Sequence, residues 1–284
     1  MDRDFDLILQ GATGFTGRLA AAELARAAPA GLRWAVAGRD PERVAEVAAA
    51  HGVPAVVANG LDPAAMDALA ARARVMLSCA GPFAAYGTPL VAACARHGTH
   101  YADLTGELPW IRELIGRWHA SCARNGTALI PACGFDAVPS DLAVHELRRR
   151  AHAEGLPAGP VRGFWRLRGG LNGGTLASGL HLYARWKPED FAPPYLLDPA
   201  PAESLRACGP PFATHPTFAV SALGRWAAPF VMAGVNERVV RRSVALLAAE
   251  GAGAAAAFPY REFRATRSRG AALLARAQLA LAEG

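Results

Sequence analysis

Two rhythms of apolar and polar positions alternate along the first half of the chain. Short runs without helical spacing recur at residues 5–9, 32–37, 54–58, 75–79, 99–102 and 127–130. Between them, residues 18–28, 41–51, 62–72, 88–97 and 109–125 return apolar side chains every three or four positions. Short runs bounded by turn residues suit buried strands, and the longer period suits amphipathic helices. Asp40 and Asp62 stand just before Pro41 and Pro63, the order expected of a capping carboxylate followed by proline in the first helical turn. Strands alternating with helices predict a parallel sheet with right-handed crossovers. Residues 1–140 are therefore expected to form a doubly wound α/β domain.

The rhythm changes near Val138. A helix is expected over 140–150, an alternating run over 161–167, and a helix from Thr175 toward Trp186 after the glycines Gly169, Gly170, Gly173 and Gly174. Residues 188–216 are rich in proline and read as an irregular excursion, 225–247 as helical in part, and 271–283 as an alanine-leucine helix. Ala254 to Ala257 carry little information, and no internal repeat is visible. Strands look too few for a sheet. Residues 141–284 are expected to be a substrate or dimerisation-type α+β domain, incomplete as it stands.

Gly11, Ala12, Thr13, Gly14, Phe15, Thr16 and Gly17 lie between the first strand and the first helix. Gly11 lets the chain turn out of the strand, Gly14 lets the backbone approach a pyrophosphate, and Gly17 lets the helix pack close to the strand. Free N–H groups and the positive end of the helix dipole attract phosphate there. Thr13 and Thr16 offer hydroxyls. The order strand, glycine turn, helix is what separates a Rossmann-type dinucleotide site from scattered glycines.

The cofactor expected is NADP(H). At the end of the second strand, where an NAD enzyme presents an acid to the ribose, this chain has Arg39. A guanidinium there pairs with a 2′-phosphate. Asp40 follows at once and reads as the cap of the next helix.

Composition narrows the function class. The chain has 284 residues, 52% apolar and 19% charged, enough to bury a core. Its net charge of +6 comes with no basic stretch interleaved with aromatics, so no nucleic-acid partner is expected. The first residues lack an apolar signal region, and Cys79, Cys94, Cys122, Cys133 and Cys208 are odd in number with no C-x-x-C pair, which suits reduced thiols in a cytoplasm. The scattered histidines predict no metal. Residues 218–235 are mostly apolar but hold Arg225 and Pro229, which favours core over a membrane span.

In an open α/β sheet the ligand lies beyond the carboxyl ends of the strands. Four segments should converge there: the glycine turn, residues 78–83 with Tyr86 and Gly87 beyond, residues 101–107, and residues 131–141. Cys79, Ala80, Gly81 and Pro82 are small enough for a dinucleotide to lie along the backbone, with Cys79 more at home as a buried filler than as a nucleophile. Tyr101, Asp103 and Asp136 are the catalytic candidates, to position substrate or relay a proton. Asp103 also fits a purely local role, holding its loop through backbone N–H groups. Glu107 reads as a start signal for the helix at Pro109, and Ser140 or Asp141 as caps of the next helix. The only lysine is Lys187, so no Y-x-x-x-K pair of the short-chain dehydrogenase kind exists.

The segments 11–17, 37–39, 79–83, 100–107 and 134–141 together resemble the saccharopine dehydrogenase-like oxidoreductases, closest to the trans-acting enoyl reductase branch. Gly173, Gly174, Thr175 and Ser178, then residues 229–243, fit the same group. The resemblance implies a Rossmann domain binding NAD(P), a mixed second domain, and reduction of a carbon–carbon double bond in a polyketide-derived lipid. It does not imply saccharopine as substrate. Members of the branch usually run about a hundred residues longer, so the chain reads as a fragment or a shortened member.

Three readings stay open on these residues. The first is an NADPH-dependent reductase of an enoyl or enone group in a small-molecule or lipid-linked substrate. The second is a catalytically silent NADP-binding sensor or scaffold. The third is a peripheral membrane protein using residues 218–235 with Arg238, Arg241 and Arg242. A homodimer is compatible with each.

Overall fold

The first apolar run becomes β1 (Phe5–Gln10), buried over its last three residues. In the computed structural model, which describes residues 3–157, 159–166, 173–187, 190, 197, 216–249 and 258–283, the chain divides into two units. The first unit holds Met1–Gly134 with Leu171–Lys187, and the second Phe135–Gly170 with Pro188–Gly284.

In the first unit β1 is followed by α1 (Phe15–Ala27), β2 (Trp34–Gly38), α2 (Pro41–His51), β3 (Ala55–Val57), α3 (Pro63–Ala71) and β4 (Ala73–Ser78). Then come α4 (Phe83–Tyr86), α5 (Thr88–His97), β5 (His100–Asp103), α6 (Leu108–Asn125) and β6 (Leu129–Ile130). The six strands run in the order β3-β2-β1-β4-β5-β6, and every pairing is parallel. This is the expected doubly wound, Rossmann-type sheet. The order reverses between β1 and β4, which opens a crevice at their carboxyl ends. β2 is buried at all five positions, because helices cover both faces of a parallel sheet. Ile8 and Leu9 show the consequence. Ile8 joins Met76, Leu90, Tyr101 and Trp110 in one buried cluster, while Leu9 joins Val36, Val44 and Val47 in another. Successive strand residues point to opposite faces, so one sheet carries two cores.

The caps follow the sequence. Asp40 accepts the Arg43 N–H at 3.1 Å and Asp62 accepts the Ala64 N–H at 2.9 Å, each with proline at the helix start. A later helix, α8 (Gly173–Arg185), belongs to the same unit, and Trp186 beyond it packs on the first cluster.

The second unit contains α7 (Val138–Ala153), β7 (Val161–Trp165), β8 (Phe218–Val220), a 3-10 turn at Ser221–Leu223, β9 (Arg225–Pro229), α9 (Ala233–Ala249), β10 (Tyr260–Thr266) and α10 (Arg269–Glu283). Its four strands form a mixed sheet, β7-β10-β9-β8, with β7 parallel to β10 and the other pairs antiparallel. Here the structure corrects the expectation of too few strands. β8 and β9 divide what read as one apolar segment, and β10 carries a wholly buried Glu262 among its inward positions. A carboxylate on the core side erases the alternation by which a strand is recognised.

Glu262 is held by three donors: the hydroxyl of Ser140, the Tyr260 hydroxyl at 2.6 Å and the Asn236 amide at 2.9 Å. Ser140 and Asp141 are thus not helix caps. α7 begins earlier, at Val138, without a side-chain cap, and Asp141 accepts the Ser243 hydroxyl at 2.9 Å. Burial raises the Asp141 carboxyl above its ordinary value. Arg238 and Arg241, offered by the sequence to lipid headgroups, are 2% and 4% exposed, so they are not available to a membrane surface. Among the described residues no helix is long and apolar enough to cross a membrane. Gly169, Gly170, Cys208, residues 254–257 and most of 188–216 lie outside the described residues.

Candidate dinucleotide site

A cleft of about 410 Å³ lies in the first unit where β1, β2, β3 and β4 end. Its lining includes Gly11, Thr13 and Gly14 from the turn after β1, and Arg39, Asp40 and Arg43 from the β2–α2 turn. Asn59 and Gly60 follow β3, and Cys79, Ala80, Gly81 and Pro82 follow β4. Eight of the residues singled out in sequence as cofactor contacts therefore share one cleft: Gly11, Thr13, Gly14, Arg39, Cys79, Ala80, Gly81 and Pro82.

The three glycines do different things. Gly11 adopts φ +80°, and a Cβ there would lie 2.7 Å from the Ala80 nitrogen, so only glycine allows β1 and β4 to leave the sheet side by side. A Cβ on Gly17 would lie 2.1 Å from the Gly11 carbonyl oxygen. Gly17 is buried and does not line the cleft, so its contribution is packing. Gly14 is exposed and caps α1 without any side-chain hydrogen bond, and no acidic residue occupies the first turn. That leaves N–H donors and the positive helix end open to an anion. Phe15 is 68% exposed, and neither it nor Thr16 lines the cleft.

Arg39 and Arg43 are both exposed at the rim. Elsewhere in this unit Arg18 pairs with Glu46, Arg33 with Asp6, Arg72 with Asp4 and Arg96 with Asp67. Among the described residues neither Arg39 nor Arg43 has such a carboxylate, and Asp40 gives its own to the α2 cap. Two exposed cations on one rim, neither closed into an ion pair, suit a dianionic phosphate.

The opposite wall is fixed from below. Glu107 is 1% exposed, and its two oxygens accept the backbone N–H groups of Phe83 and Ala84, each at 2.8 Å. The sequence reads Glu107 as a signal for the following helix, but α6 receives no side-chain hydrogen bond from it. It caps α4 instead. Cys79 is half-buried, and burial, with the nearby Asp103 charge, pushes its thiol up to about 11, so it stays a thiol at neutral pH.

Tyr101 and Asp103 lie beneath this wall, each 1% exposed. The Tyr101 hydroxyl donates to Asp103 Oδ2 at 2.7 Å, while Oδ1 accepts the N–H groups of Thr105 at 2.9 Å and Ala132 at 3.1 Å. Ala132 is held at φ 57°, which a side-chain-bearing residue rarely adopts. Burial raises the Asp103 carboxyl to about 6, against hydrogen bonds that lower it. Burial and the Asp103 charge also raise Tyr101 well above its ordinary value. Both side chains are committed to the chain, so their geometry suits positioning better than direct contact with substrate. Asp136 is exposed in the turn ahead of α7 and belongs to the second unit. Of the four segments expected to converge, the first three do so with residues 131–134, and 135–141 fall in the other unit.

Sequence reasoning missed Gln10, Arg43, Asn59 and Gly60 as lining residues. Two signals were present: a polar residue ending an otherwise apolar strand, and an Asn-Gly turn after a short one. Arg43 sits in the first turn of α2, just past the Asp40 cap that follows Arg39.

Residues 7–130 match the family model described as the saccharopine dehydrogenase NADP binding domain. A Mycobacterium tuberculosis protein provisionally named a trans-acting enoyl reductase is 42% identical over 265 residues, taking in 86% of this chain and 62% of the relative. A second protein of that organism, named trans-acting enoyl reductase, is 38% identical over 266 residues with the same two coverages. The chain thus spans about 62% of the length of the curated relatives it matches. Among solved structures, saccharopine dehydrogenase (L-Glu forming) of Saccharomyces cerevisiae aligns with TM-score 0.48 and 19% identity, covering 57% of this chain and 34% of that one.

Proposed function

The chain belongs to the saccharopine dehydrogenase-like oxidoreductases, whose NADP-binding domain it carries, and on that premise we propose that it is an NADPH-dependent reductase of an enoyl or enone double bond in an apolar, lipid-linked substrate. One observation carries the cofactor half of this reading. Gly11, Thr13 and the α1 cap Gly14 line one cleft with Arg39 and Arg43, neither of which is closed into an ion pair among the described residues. The double-bond half rests on the relatives named trans-acting enoyl reductase.

The residues divide the work along the cleft. Gly11 and Gly14 bring backbone to the pyrophosphate, and Thr13 adds a hydroxyl. Arg39 and Arg43 hold the 2′-phosphate, Arg39 as a planar fork from the β2–α2 turn and Arg43 from the first turn of α2. Cys79, Ala80, Gly81 and Pro82 form the wall along which the nicotinamide half lies. Glu107 fastens that wall through Phe83 and Ala84. Tyr101 and Asp103 brace the end of β5 beneath it as positioning residues. NADPH, when bound, supplies the hydride, so no protein nucleophile is required.

Purified protein titrated with NADPH is expected to enhance and blue-shift the nicotinamide fluorescence, and to oxidise NADPH with at least one α,β-unsaturated thioester or enone. No fluorescence change overturns the reading. Binding without turnover across the whole panel favours the silent sensor.

A further inference from the structure

Part of the cleft is lined by residues that the phosphates of a dinucleotide do not need. Gln10 ends β1, Ala58, Asn59 and Gly60 follow β3, and Tyr86 ends α4. Gln10 lines the cleft although it is only 6% exposed. Its Oε1 accepts the Ser78 hydroxyl at 2.9 Å, which turns the amide nitrogen the other way. Nε2 donates to nothing among the described residues, and a Cβ on Gly60 would lie 3.6 Å from it. The same Cβ would lie 3.8 Å from Tyr86 Cβ. Gly60 thus leaves open, between Gln10 and Tyr86, the space that a side chain would fill. Tyr86 is half-buried at the end of the short helix that Glu107 caps. Asn59 is exposed beside Gly60, with its Oδ1 taken by the Leu61 N–H at 3.1 Å.

A buried amide donor without a protein acceptor calls for one. The adenine ring of NADPH supplies it. Adenine and the 2′-phosphate hang from adjacent carbons of one ribose, so the base must lie beside whatever holds that phosphate. Arg39 and Arg43 stand after β2, and β3 is the next strand of the sheet. The nicotinamide half runs the other way, past β1 toward β4 and β5. The chemistry of the lining agrees with this placement. Adenine's unsubstituted ring nitrogens accept hydrogen bonds, and its flat face suits an aromatic neighbour.

We propose that Gln10, Gly60 and Tyr86 form the base pocket of the cofactor cleft. The adenine ring enters the space beside Gly60, Gln10 Nε2 donates to one of its ring nitrogens, and the Tyr86 ring packs on its face, with Asn59 at the rim. The inference rests on the NADP(H) reading and adds to it the residues that select the base. The Ser78 hydroxyl has a part here as well, because its bond to Oε1 makes Gln10 present a donor rather than an acceptor.

The chain has two glutamines, Gln10 and Gln278, so ¹⁵N labelling of glutamine side chains gives two amide signals. Gln278→Ala, a change at an exposed position, leaves only that of Gln10. Adenosine 2′,5′-bisphosphate, followed by calorimetry to saturation, is expected to move this signal and to give nuclear Overhauser contacts between the Gln10 amide hydrogens and adenine H2 or H8. Gly60 has no positive φ and its Cβ would meet only ordinary contacts, so Gly60→Leu should fold and fill the pocket. It is expected to melt within a few degrees of wild type and to bind the bisphosphate at least about 30-fold more weakly. Gly60→Val serves if the Leu variant does not fold. Gln10→Leu and Tyr86→Ala are each expected to weaken binding about tenfold. A saturated protein without the Gln10–adenine contacts, or unchanged affinity in a folded Gly60 variant, overturns the pocket. If wild type binds neither NADPH nor the bisphosphate, it is the cofactor reading that fails.

Discussion

Glu107 Oε1 accepts the backbone N–H of Phe83 at 2.8 Å, 24 residues away in sequence, and so ties the end of β5 to the wall of the cleft. Its second oxygen takes the next N–H, that of Ala84. A buried carboxylate at the start of α4 satisfies two donors that the four-residue helix cannot satisfy itself. Glu107→Ala should strand both, at about 3 kcal/mol, with Glu107→Gln losing less. Urea unfolding measures this, and NADPH affinity should fall in parallel because the wall loosens. Wild-type stability in the Ala variant would exclude the role.

Asp103 should leave a mark on stability against pH. Its carboxyl is raised from 3.8 to about 6 in the fold, chiefly by burial. The folded state therefore keeps its proton in a window where the unfolded chain has lost it. Stability from this group is full below about pH 4 and declines as pH rises toward 6, by about 3 kcal/mol in all. Asp103→Asn keeps the shape and removes the titration. Urea midpoints collected from pH 4 to 7 should show a flatter profile for the variant than for wild type.

Gly14 and Gly17 should separate binding from folding. A Cβ on Gly17 would collide with the Gly11 carbonyl, so Gly17→Ala should lower stability by about 3 kcal/mol or more. A Cβ on Gly14 would meet only that same oxygen, at an ordinary 3.5 Å. Gly14→Ala should melt within a few degrees of wild type and bind NADPH about tenfold more weakly, since its methyl faces the phosphate. Thermal melts and fluorescence titrations on the two variants decide it.

Arg39 and Arg43 should set the preference for NADPH over NADH. Arg39→Ala or Arg43→Ala is expected to weaken NADPH binding about tenfold and leave NADH nearly unchanged. Raising the salt concentration should narrow the wild-type preference, because both cations are exposed. Equal losses for the two nucleotides in either variant would place that arginine away from the 2′-phosphate.

The local features were written in consecutive residues. Asp40 with Pro41, and Asp62 with Pro63, fix helix starts over a few positions. Arg39 follows β2, whose apolar run is unbroken because both faces of the parallel sheet are covered, and the glycine turn follows the buried end of β1. Such signals survive in sequence because each depends on backbone angles and neighbours within a turn or two. The second unit was harder to read for the opposite reason. Ser140, Asn236 and Tyr260 all donate to the buried Glu262, across about 120 residues of chain, and no local stretch shows that they meet.

The site divides along the same line. Sequence alone determined the sheet of the first unit, the glycine turn after β1 and the basic residue after β2, since each is a short pattern with its own physical cause. Only the tertiary structure decided that Arg43 shares a rim with Arg39, that Glu107 caps α4 rather than its own helix, and that Ser178 comes against Gly81. Those relationships are set by strand register and by where a distant helix returns to the sheet, and no local stretch of chain encodes either.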